Sequence, residues 1–197
     1  MIHYVDKVDS ADLSIREITE PSGWILLGFI MDPRTGLGRF RNFTISNYDL
    51  MKELASACAT KNIDEIMAMP DVAEREKVYF EQEKLFKDMI QKTAKAEGNV
   101  IVMDLRGVDT IHAGNRFIMY TMFPEQNISV VIVDGKNKQN CAITVGYSVI
   151  NRNAKINVGS MLLKYGGGGH DQVGTCQVPY DEADTIIADI VNCCKSN

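Results

Sequence analysis

The sequence predicts an α/β protein: a mixed β-sheet flanked by helices, preceded by a mainly helical segment and a long connecting helix. Three observations carry this reading. Residues 72–97 are an unbroken stretch rich in Glu, Lys, Gln and Ala, all good helix formers. From residue 99 onward, short apolar runs alternate with helix-compatible stretches, the pattern of an α/β domain. Two of those runs flank Gly135-Lys136-Asn137-Lys138, which has hairpin-turn chemistry and makes the sheet mixed. The expected divisions are residues 1–70, 71–97 and 98–197.

Taken in order, residues 1–20 are polar, with an acidic cluster at Asp6, Asp9 and Asp12. Trp24 to Met31 is a short apolar run, a strand or a buried helix. Asp32 to Asn42 holds Pro33, Gly36, Gly38 and three arginines, and reads as a loop. Asn47 is positioned to cap a helix ending near Thr60, and Asp64 to Met69 is a shorter helical piece. Pro70 and Asp71 open the long helix, with Val78, Leu85, Phe86, Met89 and Ile90 as its apolar face and its charges outward. After Gly98-Asn99, Asn99 to Leu105 reads as a buried strand and Gly114 to Met122 as a helix. Ile128 to Val133 is β-branched and pairs across the hairpin with Cys141 to Val145. A helix near Val158, a glycine run, a strand from Val173 to Val178 and a helix from Asp181 to Cys194 complete the chain.

A net charge of −5 argues against broad nucleic-acid binding by a basic surface. It leaves room for a local basic groove, since Arg106, Arg116, Lys136, Lys138, Arg152, Lys155 and Lys164 gather in the second half. The five cysteines form no CxxC pair, so they read as reduced thiols. No apolar run is long enough for a membrane span, and the first residues lack the apolar core of a signal peptide. A soluble cytoplasmic protein without membrane contact is expected.

The chemistry concentrates at Gly166-Gly167-Gly168-Gly169-His170. Consecutive backbone N–H groups in such a loop can form an anion-binding concavity, and the histidine adds a donor. Glycines also mark ordinary turns. Asp104-Leu105-Arg106-Gly107, Asn115-Arg116 and Ser148 to Asn153 fall at element ends, where α/β proteins place ligands. Arginines converging on a glycine loop would read phosphate through paired, charge-assisted hydrogen bonds. Two other groupings are discounted. Asp104, Asp109 and His112 have no metal-ligand spacing, and Ser148 lacks a nucleophile-elbow motif.

Several motifs occur together in register: Asn115-Arg116-Phe117, Phe123-Pro124, Asn127 to Val131, Gly146 to Arg152, and Val158-Gly159 through His170 to Gly174. In this order they resemble the C-terminal, DHH-associated substrate-binding domain of DHH-family phosphoesterases, in the exopolyphosphatase-related branch. The resemblance implies substrate contacts at Gly167, Gly168, Gly169, His170 and Arg152, with Arg116 a further candidate. It implies a phosphate-containing substrate: a short oligonucleotide, a phosphorylated nucleotide or polyphosphate.

The family's catalytic domain precedes this one and holds a pair of divalent metals, usually manganese. This chain has no Asp-His-His motif; its histidines are His3, His112 and His170. By resemblance Asp9 is the first choice for a remaining metal ligand and Asp6 the second. The expectation is the end of the catalytic domain, a connecting helix and a complete substrate domain, as a truncated product or with the metal-binding part supplied elsewhere. The chain alone would then be inactive. The competing readings are a stand-alone, non-catalytic nucleotide or nucleic-acid binding module, and an assembly role, including a homodimer.

Overall fold

The computed structural model describes residues 2–195. They fall into two compact units, residues 2–88 with 112–118, and residues 89–111 with 119–195.

The first unit is helical. Its first elements, α1 (Ile2–Asp9) and α2 (Ile15–Thr19), lie in the stretch that reads from sequence as polar. The overlooked signal is a capping box: Ser14 accepts from the Glu17 amide, and the Glu17 carboxylate accepts from the Ser14 amide. The ambiguous apolar run is α3 (Gly23–Met31), buried through Ile25, Leu26, Leu27, Phe29 and Ile30. It is apolar all round, which suits a buried helix. The Asp32–Asn42 loop contains two short 3-10 turns, Pro33–Thr35 and Leu37–Arg39, joined at Gly36 with φ +90°. Next come α4 (Asn47–Thr60), capped by Ser46 rather than Asn47, and α5 (Ile63–Met67), capped by Asn62. Leu27, Leu50, Leu54, Ala57, Ile66 and Val72 form one core of this unit.

The long helix α6 (Pro70–Thr93) ends four residues early, because Ala94–Glu97 becomes strand β1. A helix-favouring Ala-Lys-Ala-Glu segment is overridden by pairing: Gly98, at φ +63°, turns the chain so that β1 runs antiparallel to β2 (Val100–Asp104). The buried stripe of α6 also differs from the apolar face expected. It runs through Val72, Arg75, Tyr79, Glu83, Phe86 and Ile90, while Leu85 is exposed. Arg75 is only 1% exposed. It donates to the Asn47 side chain and to the Asp71 and Ile45 carbonyls, and lies over the Phe43 ring. A charge buried with such partners belongs to the interior, which a polar-outward rule misses.

The expected helix over 114–122 shortens to α7 (Ile118–Met122). Residues 114–117 stay irregular because they are held individually: the Gly114 amide donates to Thr35 O, and Asn115 bonds Ile18 O and the Phe117 amide.

The second unit is built on one six-stranded mixed sheet. With β3 (Ile128–Asp134), β4 (Asn140–Tyr147), β5 (Gly168–Gly169) and β6 (Val173–Pro179), the order is β1-β2-β3-β4-β6-β5. Only β2 and β3 pair in parallel. The β3–β4 hairpin closes through Lys136–Lys138, with Asn137 and Lys138 left-handed. Strand β6 alternates strictly, with Gly174, Cys176 and Val178 inward. Those residues share a core with Val130, Ile132, Ile143 and Val145 of the sheet. Helices α8 (Val158–Leu163) and α9 (Ala183–Lys195) complete it through Val158, Met161, Leu162, Ile190, Val191 and Cys194. Burial pushes the Cys194 thiol up to about 12. Among the described residues, no helix is long and apolar enough to cross a membrane.

Candidate functional site

The glycine run sits in the second unit, between the end of α8 and β6, and is not one uniform loop. Its amides are largely spent on the backbone. Gly166 N donates to Leu163 O and Gly167 N to Leu162 O, closing α8, while His170 N donates to Val173 O. Gly168 and Gly169 pair with Thr175 and Gly174 as an edge strand. A concavity of consecutive open N–H groups, the first reading of this run, is therefore not formed.

Steric demand explains two of the run's four glycines, Gly167 and Gly169, instead. A Cβ on Gly167 would lie 2.3 Å from Thr175 O and 2.5 Å from Cys176 Cβ. One on Gly169 would lie 2.2 Å from Val173 O. Two glycines outside the run complete the cluster. A Cβ on Gly159 of α8 would meet Gly169 O at 2.5 Å, and one on Gly174 would meet Gly168 O at 2.6 Å. Backbone thus packs on backbone where α8, β5 and β6 meet. Gly168 differs: the nearest atom to its added Cβ is Leu163 Cδ2 at 3.9 Å, an ordinary contact.

This packing fixes His170. Its amide is bound to Val173 O, and its own carbonyl accepts from Gly159 N at 3.0 Å. The backbone is anchored on both sides while the residue is exposed. Its imidazole makes no hydrogen bond among the described residues. Arg152 is also exposed, and its Nε donates to Val149 O at 2.9 Å, which sets the direction of the guanidinium. The turn carrying it is organised by Ser148, which is 1% exposed and accepts from the Ile150 and Asn151 amides. Ser148 is thus committed to the backbone, in keeping with its dismissal as a nucleophile.

Arg106 is committed elsewhere. It makes a forked pair with Asp104 and a second bond, at 2.7 Å, to Asp184. Burial raises the Asp104 carboxyl, but hydrogen bonds from Arg106 outweigh it and leave the pKa below its ordinary value. With Gly107 N donating to Asp134, this segment braces the ends of β2 and β3.

Arg116 and Asp9 belong to the first unit. Arg116 Nη1 donates to Asp32 Oδ2 at 2.8 Å, and its guanidinium lies 4.3 Å from the Phe117 ring centre. The same carboxylate accepts from Arg34 through Nε, at 2.8 and 3.1 Å, and through its amide at 2.9 Å. Burial alone would raise the Asp32 pKa; the two arginines hold it below the ordinary value. Asp9, at the end of α1, is exposed and lines a cavity with Asp32, Arg34, Tyr4 and Trp24. Sequence reasoning missed Asp32 and Arg34, although Asp-Pro-Arg is a visible turn-and-cap signal.

The donor set does not fit a two-metal centre. Among the described residues, no three His, Cys, Asp or Glu side chains group to hold an ion. Asp32, the carboxylate that shares a cavity with Asp9, is taken up by two guanidinium groups.

No protein-family model matches the sequence, and no curated protein matches it significantly. Among solved structures, the chain is similar to PggH, a pGpG-specific phosphodiesterase from Vibrio cholerae, at 44% identity and a TM-score of 0.91. The match covers 99% of this chain and 65% of that one, so this chain spans just under two thirds of its relative. An exopolyphosphatase-related protein from Bacteroides fragilis matches at 15% identity and a TM-score of 0.44, over 87% of this chain and 51% of that one. The motif order and the likeness to PggH lead to one conclusion: the chain belongs to the DHH family of phosphoesterases.

Proposed function

We infer that this chain is the substrate-recognising portion of a phosphodiesterase that acts on a short linear dinucleotide of the pGpG class. The observation that carries the reading is 44% identity, over 99% of this chain, to a pGpG-specific phosphodiesterase. In this reading residues 1–70 are the end of the catalytic domain, 71–97 the connecting helix and 98–197 the substrate domain. His170 and Arg152 bind phosphate, and the run Gly167 to Gly169 lets the ligand approach the backbone, most closely at Gly168. Arg116 is a further contact. The physical support is an exposed imidazole on a doubly anchored backbone and an exposed, directed guanidinium, the donors that phosphate oxygens accept from.

The reaction class carried by the family is metal-dependent hydrolysis, with manganese the metal on resemblance. Among the described residues no two-metal site is formed, and in this reading the bond-breaking apparatus is supplied from outside them. Asp9 would face it.

Calorimetry with pGpG, in the presence and absence of chelator, tests this. The expected result is weak binding without hydrolysis, which His170→Ala and Arg152→Ala each weaken about ten-fold, as for loss of one charge-assisted hydrogen bond. Undiminished binding in both variants overturns the site. Vigorous manganese-dependent turnover by the chain alone overturns the division of labour. Strong dependence of affinity on metal counts against the alternative, a non-catalytic binding module.

A further inference from the structure

The two candidate phosphate donors, Arg152 and His170, lie on different segments that the sheet brings side by side. Strands β4 and β6 pair as far as Gly146 with Val173, and just beyond that pair the Tyr147 amide donates to Gln172 O at 2.9 Å. The chain then leaves the sheet for residues 148–157 and returns at α8, where Val158 N donates to Asp171 O and Gly159 N to His170 O. Both ends of this excursion are therefore tied to the segment that carries His170. Arg152 sits near its middle, away from either tie.

The middle is held by Asn127, the residue that precedes β3. Asn127 is 8% exposed. Its amide donates to Asn99 O at 3.0 Å, and its carbonyl accepts from Ser148 N at 2.8 Å. Its side-chain Oδ1 accepts from Asn99 Nδ2 at 2.9 Å, and its Nδ2 donates to Asn153 Oδ1 at 2.7 Å. The turn is thus gripped on both sides of Arg152, at Ser148 by the Asn127 backbone and at Asn153 by the Asn127 side chain. Asn151 adds a bond from its Nδ2 to Glu125 O at 2.9 Å. A main-chain carbonyl fixes the direction of this relay. Asn99 Nδ2 also donates to Cys194 O at 3.0 Å, and a carbonyl can only accept. The Asn99 amide nitrogen is thereby set toward Asn127, which presents Oδ1 to Asn99 and Nδ2 to Asn153.

Arg152 is exposed, and its Nε donates to Val149 O within the same turn. Ordering one long side chain at a binding site costs the equivalent of about two- to ten-fold in affinity. A turn held at both ends fixes the Val149 carbonyl, and with it the guanidinium, before ligand arrives. We propose that Asn127 is a positioning residue for phosphate binding: through Ser148 and Asn153 it holds the 148–153 turn so that Arg152 is presented alongside His170. That Arg152 meets phosphate rests on the functional reading above. The relay that holds its turn rests on the hydrogen bonds.

The test uses Asn153→Ala, at an exposed position that leaves the Asn127–Asn99 pair in place, and Asn127→Ala, with the folding of both checked by thermal unfolding. In the free chain, the heteronuclear Overhauser effect of the Arg152 Nε–H group reads its order. Both variants are expected to lower it, and Asn153→Asp, which keeps an oxygen for Asn127 Nδ2, to restore it. In calorimetry with pGpG, Asn153→Ala is expected to weaken binding about three-fold, within the cost of ordering one side chain. That loss is expected to persist in a His170→Ala background and to vanish in an Arg152→Ala background, because a positioning residue acts only through the group it positions. Unchanged Arg152 order or unchanged affinity in Asn153→Ala overturns the proposal. So does an equal loss in the Arg152→Ala background, which would mark a general loosening of the fold. If pGpG does not bind the wild-type chain, the functional reading falls, and the Overhauser measurement decides whether Asn127 orders Arg152. If pGpG binds and the coupling to Arg152 is absent, the functional reading stands and the positioning role falls.

Discussion

Gly167→Ala is the substitution that most directly tests why the glycine run exists. The new Cβ would lie 2.3 Å from Thr175 O, 2.5 Å from Cys176 Cβ and 2.8 Å from Cys176 Cα. Ordinary contact begins near 3.4 Å, so the two chains must part by about 1 Å. None of these atoms is the end of a flexible side chain, so nothing can swing aside. The parting pulls on the pairing of Gly168 with Thr175 and of Gly169 with Gly174. Overpacking of this kind costs about 3 kcal/mol at the upper end of its usual range. For a chain of this size that lowers Tm by roughly 6–12 °C. Gly166→Ala is the matched control. Gly166 has φ +71° and nothing within 4 Å of an added Cβ, so its substitution costs only the left-handed backbone penalty, about 1 kcal/mol. Scanning calorimetry and hydrogen exchange across residues 167–176 measure both. A Gly167→Ala protein within about 0.5 kcal/mol of wild type, or a Gly166→Ala protein that is the less stable of the two, would refute steric packing as the reason for the run.

Three further outcomes are expected. Gly168→Ala has room for its methyl group, so it is expected to change stability by less than about 0.5 kcal/mol; weakened pGpG binding by this stable variant, read by calorimetry, would place ligand at the run itself. Arg75→Met is expected to lose about 3 kcal/mol or more in urea unfolding, because the acceptors at Asn47, Ile45 and Asp71 lose a charged donor inside the helical unit. Glu17 is held down to about 2, chiefly by its hydrogen bond from Lys7; burial opposes this, and hydrogen bonds from the Ser14 hydroxyl and amide add to the lowering. Its folded pKa lies below the unfolded one, so the unfolded chain binds more protons between them. The stabilisation it provides is complete above about pH 4.5 and is lost as pH falls toward 2. Urea midpoints at several pH values should show a Glu17→Gln variant with a shallower acid decline than wild type.

Much of the sheet was legible from residue type alone. Ile128–Asp134 and Asn140–Tyr147 lie where β-branched runs flank a turn, and β6 carries a visible alternation. The errors share a cause. Ala94–Glu97 has helical composition, yet it pairs with β2 because a turn at Gly98 brings that partner alongside. Arg75 and Glu83 look like solvated charges, yet they lie on the buried stripe of α6 because the surrounding chain brings acceptors to Arg75. Asp32 and Arg116 are 84 positions apart, so no spacing rule connects them.

The glycine run shows the same division at a single place. The sequence by itself determined that the run matters, that Gly159 and Gly174 accompany it in order, and that the family is the DHH phosphoesterases. Composition and motif order are local properties, and they survive without coordinates. What each glycine is for was decided only by tertiary structure. Gly166 serves a left-handed turn, Gly167 and Gly169 serve backbone contact with β6, and Gly168, with an ordinary φ, has space beside it. Excluded volume acts between residues far apart in the chain, so it exists only once α8, β5 and β6 have met.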